Sequence, residues 1–327
     1  MQTPRSDTSN QLSRRQFIGR VATAGALLPL AGFAPDLQTG MLAETERPIC
    51  IFSKHLHWLT IPEMAKATAA MGYDGVDLTV RRGGHITPEK AAAELPRAVA
   101  QIRKAGLQVP MMTTDIIDPK DPLTEVILKA ASQAGIKYYR TAWLRYDPQL
   151  GIVKSLEKYK KQLRELAALN QKYNIHGAYQ NHSGTQVGAA IWDLWELLKD
   201  TDPRWLGVQY DPKHATAEAG MSWVNGLDLI KNHINTIDIK DFYWEKTGDK
   251  WSHKLVPLGE GMVDYKKFFS LVKQYNITGP LSIHFEYPLC GADTGNKEIT
   301  MLADEVLAAM KKDLQTLKSM LKAANLS

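Results

Sequence analysis

From residue 48 onward the chain alternates two hydrophobic patterns. Short runs rich in β-branched and apolar residues predict strands at 49–53, 75–79, 108–113, 137–141, 175–180, 206–210, 235–240 and 281–285. Between them, apolar residues recur every three or four positions. That spacing predicts amphipathic helices over 61–71, 88–105, 122–134, 152–173, 189–198, 264–275 and 299–324, with a less regular one over 218–232. Helical stretches stop at Gly72, Gly106, Gly135 and Asn174, each just before a strand, where a left-handed residue closes the last turn. Regular alternation means parallel strands joined by crossover helices. Eight such units predict an α/β fold, a single (β/α)8 TIM barrel over residues 48–325, with a doubly wound open sheet as the alternative. No glycine-rich phosphate loop follows any strand, which argues against the open nucleotide-binding sheet.

A barrel carries its chemistry at the C-terminal ends of its strands. On the fifth strand Gln180 and His182 share a face; on the sixth, Asp211 stands at the tip and His214 follows. On the seventh, Asp238 and Lys240 share a face; on the eighth, Ser282, His284 and Glu286 do. One polar residue in a strand is usually a satisfied core hydrogen bond. Four neighbouring strands aiming polar groups at one end mark a site, because an unpaired buried polar group costs about 1–3 kcal/mol. The earlier strands add Arg81, His85, Asp115, Arg140 and Trp143, residues that can orient and stack a polyhydroxylated ring. His55 and His57 invite a metal reading, but their spacing brings both rings to one side only in an extended segment. Trp223, Trp244 and Trp251 are placed on loops, where they either cap the site or pack against a second subunit of a homo-oligomer.

Composition refines this picture. Of the net charge of +5, +3 lies in residues 1–34, where Arg5, Arg14, Arg15 and Arg20 face only Asp7. The remaining body is too near neutrality for a nucleic-acid partner. Ser13-Arg14-Arg15-Gln16-Phe17-Ile18, followed by a moderately apolar stretch over 21–34, resembles a twin-arginine export signal. That stretch is broken by Pro29 and is shorter than the roughly 20 residues of a membrane span. The expectation is a signal and linker over 1–43, export by the twin-arginine machinery to the periplasm or exterior, and no stable membrane anchor. Cys50 and Cys290 fall at opposite ends of the expected barrel, which predicts no disulfide.

The ordered set 207–214, 237–241, 257–261 and Glu286 resembles the sugar phosphate isomerase/epimerase family of xylose isomerase-like barrels, over about residues 48–325. The resemblance implies an isomerase or epimerase acting on a small carbohydrate, with proton abstraction beside a carbonyl. It further implies a divalent metal, Mn²⁺ or Mg²⁺, held by Glu, Asp, His and Glu from the late strands. Carried over, those positions fall on Gln180, Asp211, Asp238 and Glu286, so two of the four depart from the family pattern. Glu286 remains a candidate base, with His182, His214 or Lys240 as the second proton relay and Lys240 as a partial substitute for the metal. The stretch 179–185 is also similar to the His-containing strand of inosose dehydratases, which implies a keto-sugar lyase or hydratase as the alternative. Loss of two family ligands leaves a non-catalytic carbohydrate-binding barrel as a further alternative.

Overall fold

The structure, a computed structural model, describes residues 47–326; the expected signal over 1–43 lies outside them. Eight parallel strands close a barrel. They are β1 (Ile49–Phe52), β2 (Gly75–Val80), β3 (Gln108–Thr114), β4 (Tyr138–Arg140), β5 (His176–Gln180), β6 (Leu206–Tyr210), β7 (Ile234–Ile239) and, after an inserted hairpin β8 (Asp241–Thr247) and β9 (Lys250–Val256), β10 (Leu281–Ile283). β1 pairs with both β2 and β10, which closes the ring. The surrounding helices are α1 (Ile61–Met71), α2 (Ala91–Lys104), α3 (Pro122–Gln133), α4 (Gly151–Tyr173), α5 (Ile191–Leu198), α6 (Pro212–Ala219), α7 (Trp223–Ile230), α8 (Tyr265–Gln274) and α9 (Ala303–Ala323). No helix among the described residues is long and apolar enough to cross a membrane.

The barrel and its helix ends follow the hydrophobic pattern. Gly72, Gly106, Gly135 and Asn174 all take positive φ. Outward strand residues such as Val208, Tyr210, Ile237 and Ile239 are buried against the helices, and the inward ones between them are polar. β10 is shorter than the pattern predicts because the Phe285 N–H leaves the ladder and donates to His55 Nε2 at 3.0 Å. The 218–232 stretch corrects to two short helices, α6 and α7, so Trp223 begins a helix and is buried. Trp244 and Trp251 stand on the hairpin, and both are exposed. Cys50 is buried in β1, Cys290 is exposed, and neither is bridged.

The hairpin rises directly from the end of β7 and is anchored by Asp241. This carboxylate accepts the N–H groups of Phe242, Gly259, Gly261 and Val263. Gly261 is required there, because a Cβ at that position would sit 2.1 Å from Asp241 Oδ1. The 257–261 motif is therefore a clasp that returns the chain from the hairpin to the barrel.

Asp313 on α9 is a second buried acid outside the mouth, accepting the Leu258 N–H at 3.3 Å. Burial pushes its pKa up to about 7, opposed by the nearby Tyr287 hydroxyl and the Leu258 hydrogen bond. Between the unfolded value near 4 and about 7, the folded state holds a proton that the unfolded state has lost. Stability from this group is therefore complete below about pH 4 and lost as pH rises to 7. Asp313→Asn should remove that part of the decline in urea melts taken across the interval. An unchanged slope would contradict the assignment.

Candidate active site

The late strands place their inward polar residues in one buried array. The Gln180 amide is its hub. Its carbonyl accepts from Arg140 Nη1 at 2.9 Å, and its NH₂ donates to Asp211 Oδ2 at 2.9 Å and Asp238 Oδ2 at 2.5 Å. A guanidinium can only donate and a carboxylate only accept, so this amide has one orientation. Asp238 Oδ1 also accepts from Gln209 at 2.5 Å and lies 3.1 Å from His284 Nε2. The Lys240 ammonium bridges Asp211 Oδ2 at 3.1 Å and Glu286 Oε1 at 3.3 Å. Asp77 on β2 joins from the opposite wall, accepting hydroxyl hydrogens from Thr113 at 3.1 Å and Ser282 at 2.9 Å.

Burial and pairing set the charge states. Burial alone disfavours an ammonium at Lys240, yet Asp211, Glu286 and Asp238 hold its pKa above the ordinary value. Burial also works against the Glu286 carboxylate, but Lys240, His284 and Lys54 pull it well below the usual range. His284 is raised despite burial, by Asp238 and Glu286. Asp77 is raised by burial and by the neighbouring Asp238. Asp77, Asp211 and Asp238 have no exposure at all, whereas the Glu286 side chain is 23% exposed. Glu286 is thus the carboxylate of this array that reaches the mouth, and it is ionised at neutral pH.

The two histidines of the β5 and β6 ends lie together, with ring centroids 3.8 Å apart. Burial lowers His182 to about 4 and His214 well below the ordinary value, so both are neutral. His214 Nδ1 lies 2.7 Å from Ser183 Oγ and 3.4 Å from Lys213 Nζ. Lysine only donates, so Nδ1 accepts, and the proton sits on Nε2, 3.6 Å from Asp211. On His182, Ser183 O and Gln186 Nε2 both approach Nδ1, leaving Nε2 as the ring nitrogen without a recorded partner among the described residues.

Of the other anticipated residues, Arg140 stacks over Trp143 at 4.8 Å, and Trp143 meets the His182 ring edge-on at 5.0 Å. Arg81 lies over Phe52 at 5.5 Å. Asp115 accepts the Arg82 N–H at the rim, and His85 packs against His57 and Thr79, one layer behind the mouth. His55 and His57 do not converge on a shared site. Their ring nitrogens serve Ala292 and Phe285, and Gly295 and Thr79, respectively.

Several residues escaped the sequence reading. Asp77 carries the same signal as Asp238, a charged residue inside an apolar strand. Lys54 follows β1 in a short turn. Lys213 follows Asp211 and reaches across to His253 at 3.1 Å and over Phe242 at 5.0 Å, which fastens the hairpin to the mouth.

As arranged, the four carried-over metal positions do not fit a divalent ion. Gln180 turns its hydrogens toward the acids, and the ammonium of Lys240 already occupies the space between Asp211 and Glu286. A different trio has ligand-like spacing. Single donor atoms from Asp77, Asp238 and His284 lie within 4.8 Å of one another.

A closed barrel with an acid–base array at its strand C-termini is an enzyme-like architecture. The chain belongs to the xylose isomerase-like TIM barrel family, whose profile matches residues 65–318. Among solved structures it is similar to a D-tagatose 3-epimerase-like protein, with 16% identity over 85% of this chain and 98% of that one, TM-score 0.62. It is also similar to a 3-keto-D-glucoside 4-epimerase from E. coli (16%, 82% and 99%, TM-score 0.59). A third is a xylose isomerase-like barrel protein from Mycobacterium smegmatis in complex with magnesium (15%, 82% and 98%, TM-score 0.60). A search of curated proteins finds no match.

Proposed function

We propose that this protein is a sugar isomerase or epimerase that moves a proton at the carbon beside a carbonyl of a sugar or keto-sugar. One observation carries the reading: an ionised carboxylate, Glu286, reaches the mouth with the Lys240 ammonium 3.3 Å away. Glu286 is the base that takes the proton. Lys240 is the cation that stabilises the negative charge developing on the carbonyl oxygen. A substrate oxygen taken by Lys240 draws the ammonium away from Glu286 and raises the carboxylate's basicity. His182 and His214, both neutral, stand ready as the second proton relay. Trp143 and Arg140 offer a stacking and hydrogen-bonding wall for the sugar ring. The epimerases among the similar structures support the reaction class.

A second reading, a metal-assisted site with Mn²⁺ or Mg²⁺, is favoured by the Asp77, Asp238 and His284 spacing. Such an ion would supply Lewis-acid polarisation of the carbonyl. Elemental analysis of purified protein separates the two readings. One equivalent of metal, lost in Asp77→Asn, would move the cation role from Lys240 to the ion. For the reaction class, incubation with D-fructose, D-tagatose and 3-keto-glucosides should yield epimers or isomers. Enone products in their place would make the enzyme a lyase.

The paired arginines at 14 and 15 support export through the twin-arginine pathway. The full chain should fractionate with the periplasm, and Arg14→Lys/Arg15→Lys should hold it in the cytoplasm. An unaltered distribution would rule out that route.

A further inference from the structure

The mouth holds more cations than acids, with Lys54, Arg81, Arg140, Lys213 and Lys240 set against Asp77, Asp211, Asp238 and Glu286. Lys240 is paired with Asp211 and Glu286, and His284 with Asp238. Lys54, Arg81 and Arg140 are not so matched: among the described residues none has a carboxylate oxygen within 4 Å. The nearest acid at the rim, Asp115, is taken by Arg82 at 3.3 Å. Arg140 is 4% exposed, and its Nε is buried with no hydrogen-bond partner. Arg140 and Arg81 flank the same ring, Phe52, at 5.6 and 5.5 Å, and Lys54 stands in the turn that follows that residue. The three cations oppose one another. Arg140 adds to burial in lowering Arg81, against Asp115 and Asp77, and Arg81 and Arg140 add to burial in lowering Lys54, against Glu286.

Partly buried cations with no carboxylate in direct contact are costly unless something arrives to pair them. A neutral hydroxyl cannot neutralise them. We infer that the substrate of this site carries an oxyanion, a carboxylate or a phosphate, which docks against Lys54, Arg81 and Arg140 on the β1, β2 and β4 side of the mouth. This deepens the reading of a carbonyl sugar and rests on it. Glu286 and Lys240 then face the reacting carbon and carbonyl, while the anionic end is held across the opening. Phe52, stacked on His284 at 4.3 Å, forms the floor between the two ends.

The test is binding without turnover, read from the tryptophan fluorescence of the whole protein. D-fructose, 5-keto-D-gluconate and D-fructose 6-phosphate serve as the neutral, carboxylate and phosphate probes. Charge-assisted hydrogen bonds of about 1.5–3 kcal/mol convert to roughly a 10- to 100-fold preference for an anionic probe over fructose. The preference should shrink with added salt and be lost in Arg81→Gln and in Lys54→Gln. Arg81 and Lys54 are only partly buried, and circular dichroism checks their folding. Tighter binding of one anionic probe over the other assigns the oxyanion. Fructose binding as tightly as both anionic probes would overturn the inference, as would an anion preference that survives both substitutions. If anions are preferred but no proton moves beside a carbonyl, the oxyanion site stands and the isomerase reading falls. Proton exchange with no anion preference gives the reverse.

Discussion

Glu286→Gln is expected to lower kcat by about 10²–10⁴-fold, the range spanned by removal of a positioned general base. The amide keeps an oxygen for the Lys240 ammonium, 3.3 Å away in the native array, so the fold and the sugar-binding wall are retained. KM should therefore change far less than kcat, the mark of an interaction made in the transition state. The acid form of Glu286 is not the resting state, because Lys240, His284 and Lys54 overcome burial and hold its pKa well below the usual range. Wild-type activity should accordingly persist into mildly acidic solution before the base takes up a proton. Steady-state kinetics with circular dichroism decide the matter. An unchanged kcat would remove Glu286 as the base, and sugar binding with no turnover in wild type would make the barrel a carbohydrate-binding protein.

Lys240→Met is the second large effect, and it falls on two quantities. Loss of a donor aimed at a developing oxyanion should cost about 10²–10³-fold in kcat. Removal of one partner from a buried ion array should also destabilise the fold by about 3–5 kcal/mol, because the fully buried Asp211 loses its ammonium. The pH dependence has a definite sign. Glu286 has a depressed folded pKa, so its contribution is present above the unfolded value near 4.3 and is lost as pH falls through the folded one. The stability gap between wild type and variant should then be widest near neutrality and narrow in acid. Lys240→Arg keeps the charge and should recover more stability than activity. A Met variant as stable as wild type at pH 7 would mean that the ammonium does not bridge these acids.

The fold was legible because a barrel writes itself as two alternating periodicities. Its outward strand residues meet helices and must be apolar, and its crossovers need left-handed helix ends such as Gly72 and Asn174. The candidate array was legible for a related reason. Asp238 and His284 are polar residues in strands whose neighbours are apolar, and that contrast survives without coordinates. Partners were harder to see. The reversal of Gln180 depends on Arg140, which lies 40 residues earlier, and spacing along one strand carries no trace of it. The hairpin was missed because its exposed strands, such as Lys250–Val256, bury little and show no clean hydrophobic stripe. Lys54 and Lys213 were missed because single lysines in short connections read as solvated surface until the walls around them are known.

The most direct test of the proposed proton transfer is solvent exchange in D₂O, followed by proton NMR with the wild-type protein and a panel of ketoses, keto-glycosides, keto-sugar acids and ketose phosphates. The account predicts that deuterium enters the carbon beside the carbonyl of the true substrate, at a rate that collapses in Glu286→Gln, without net elimination. Conversion of substrate to its epimer with no deuterium incorporated beside the carbonyl in substrate or product, or incorporation equal in wild type and Glu286→Gln, would contradict it.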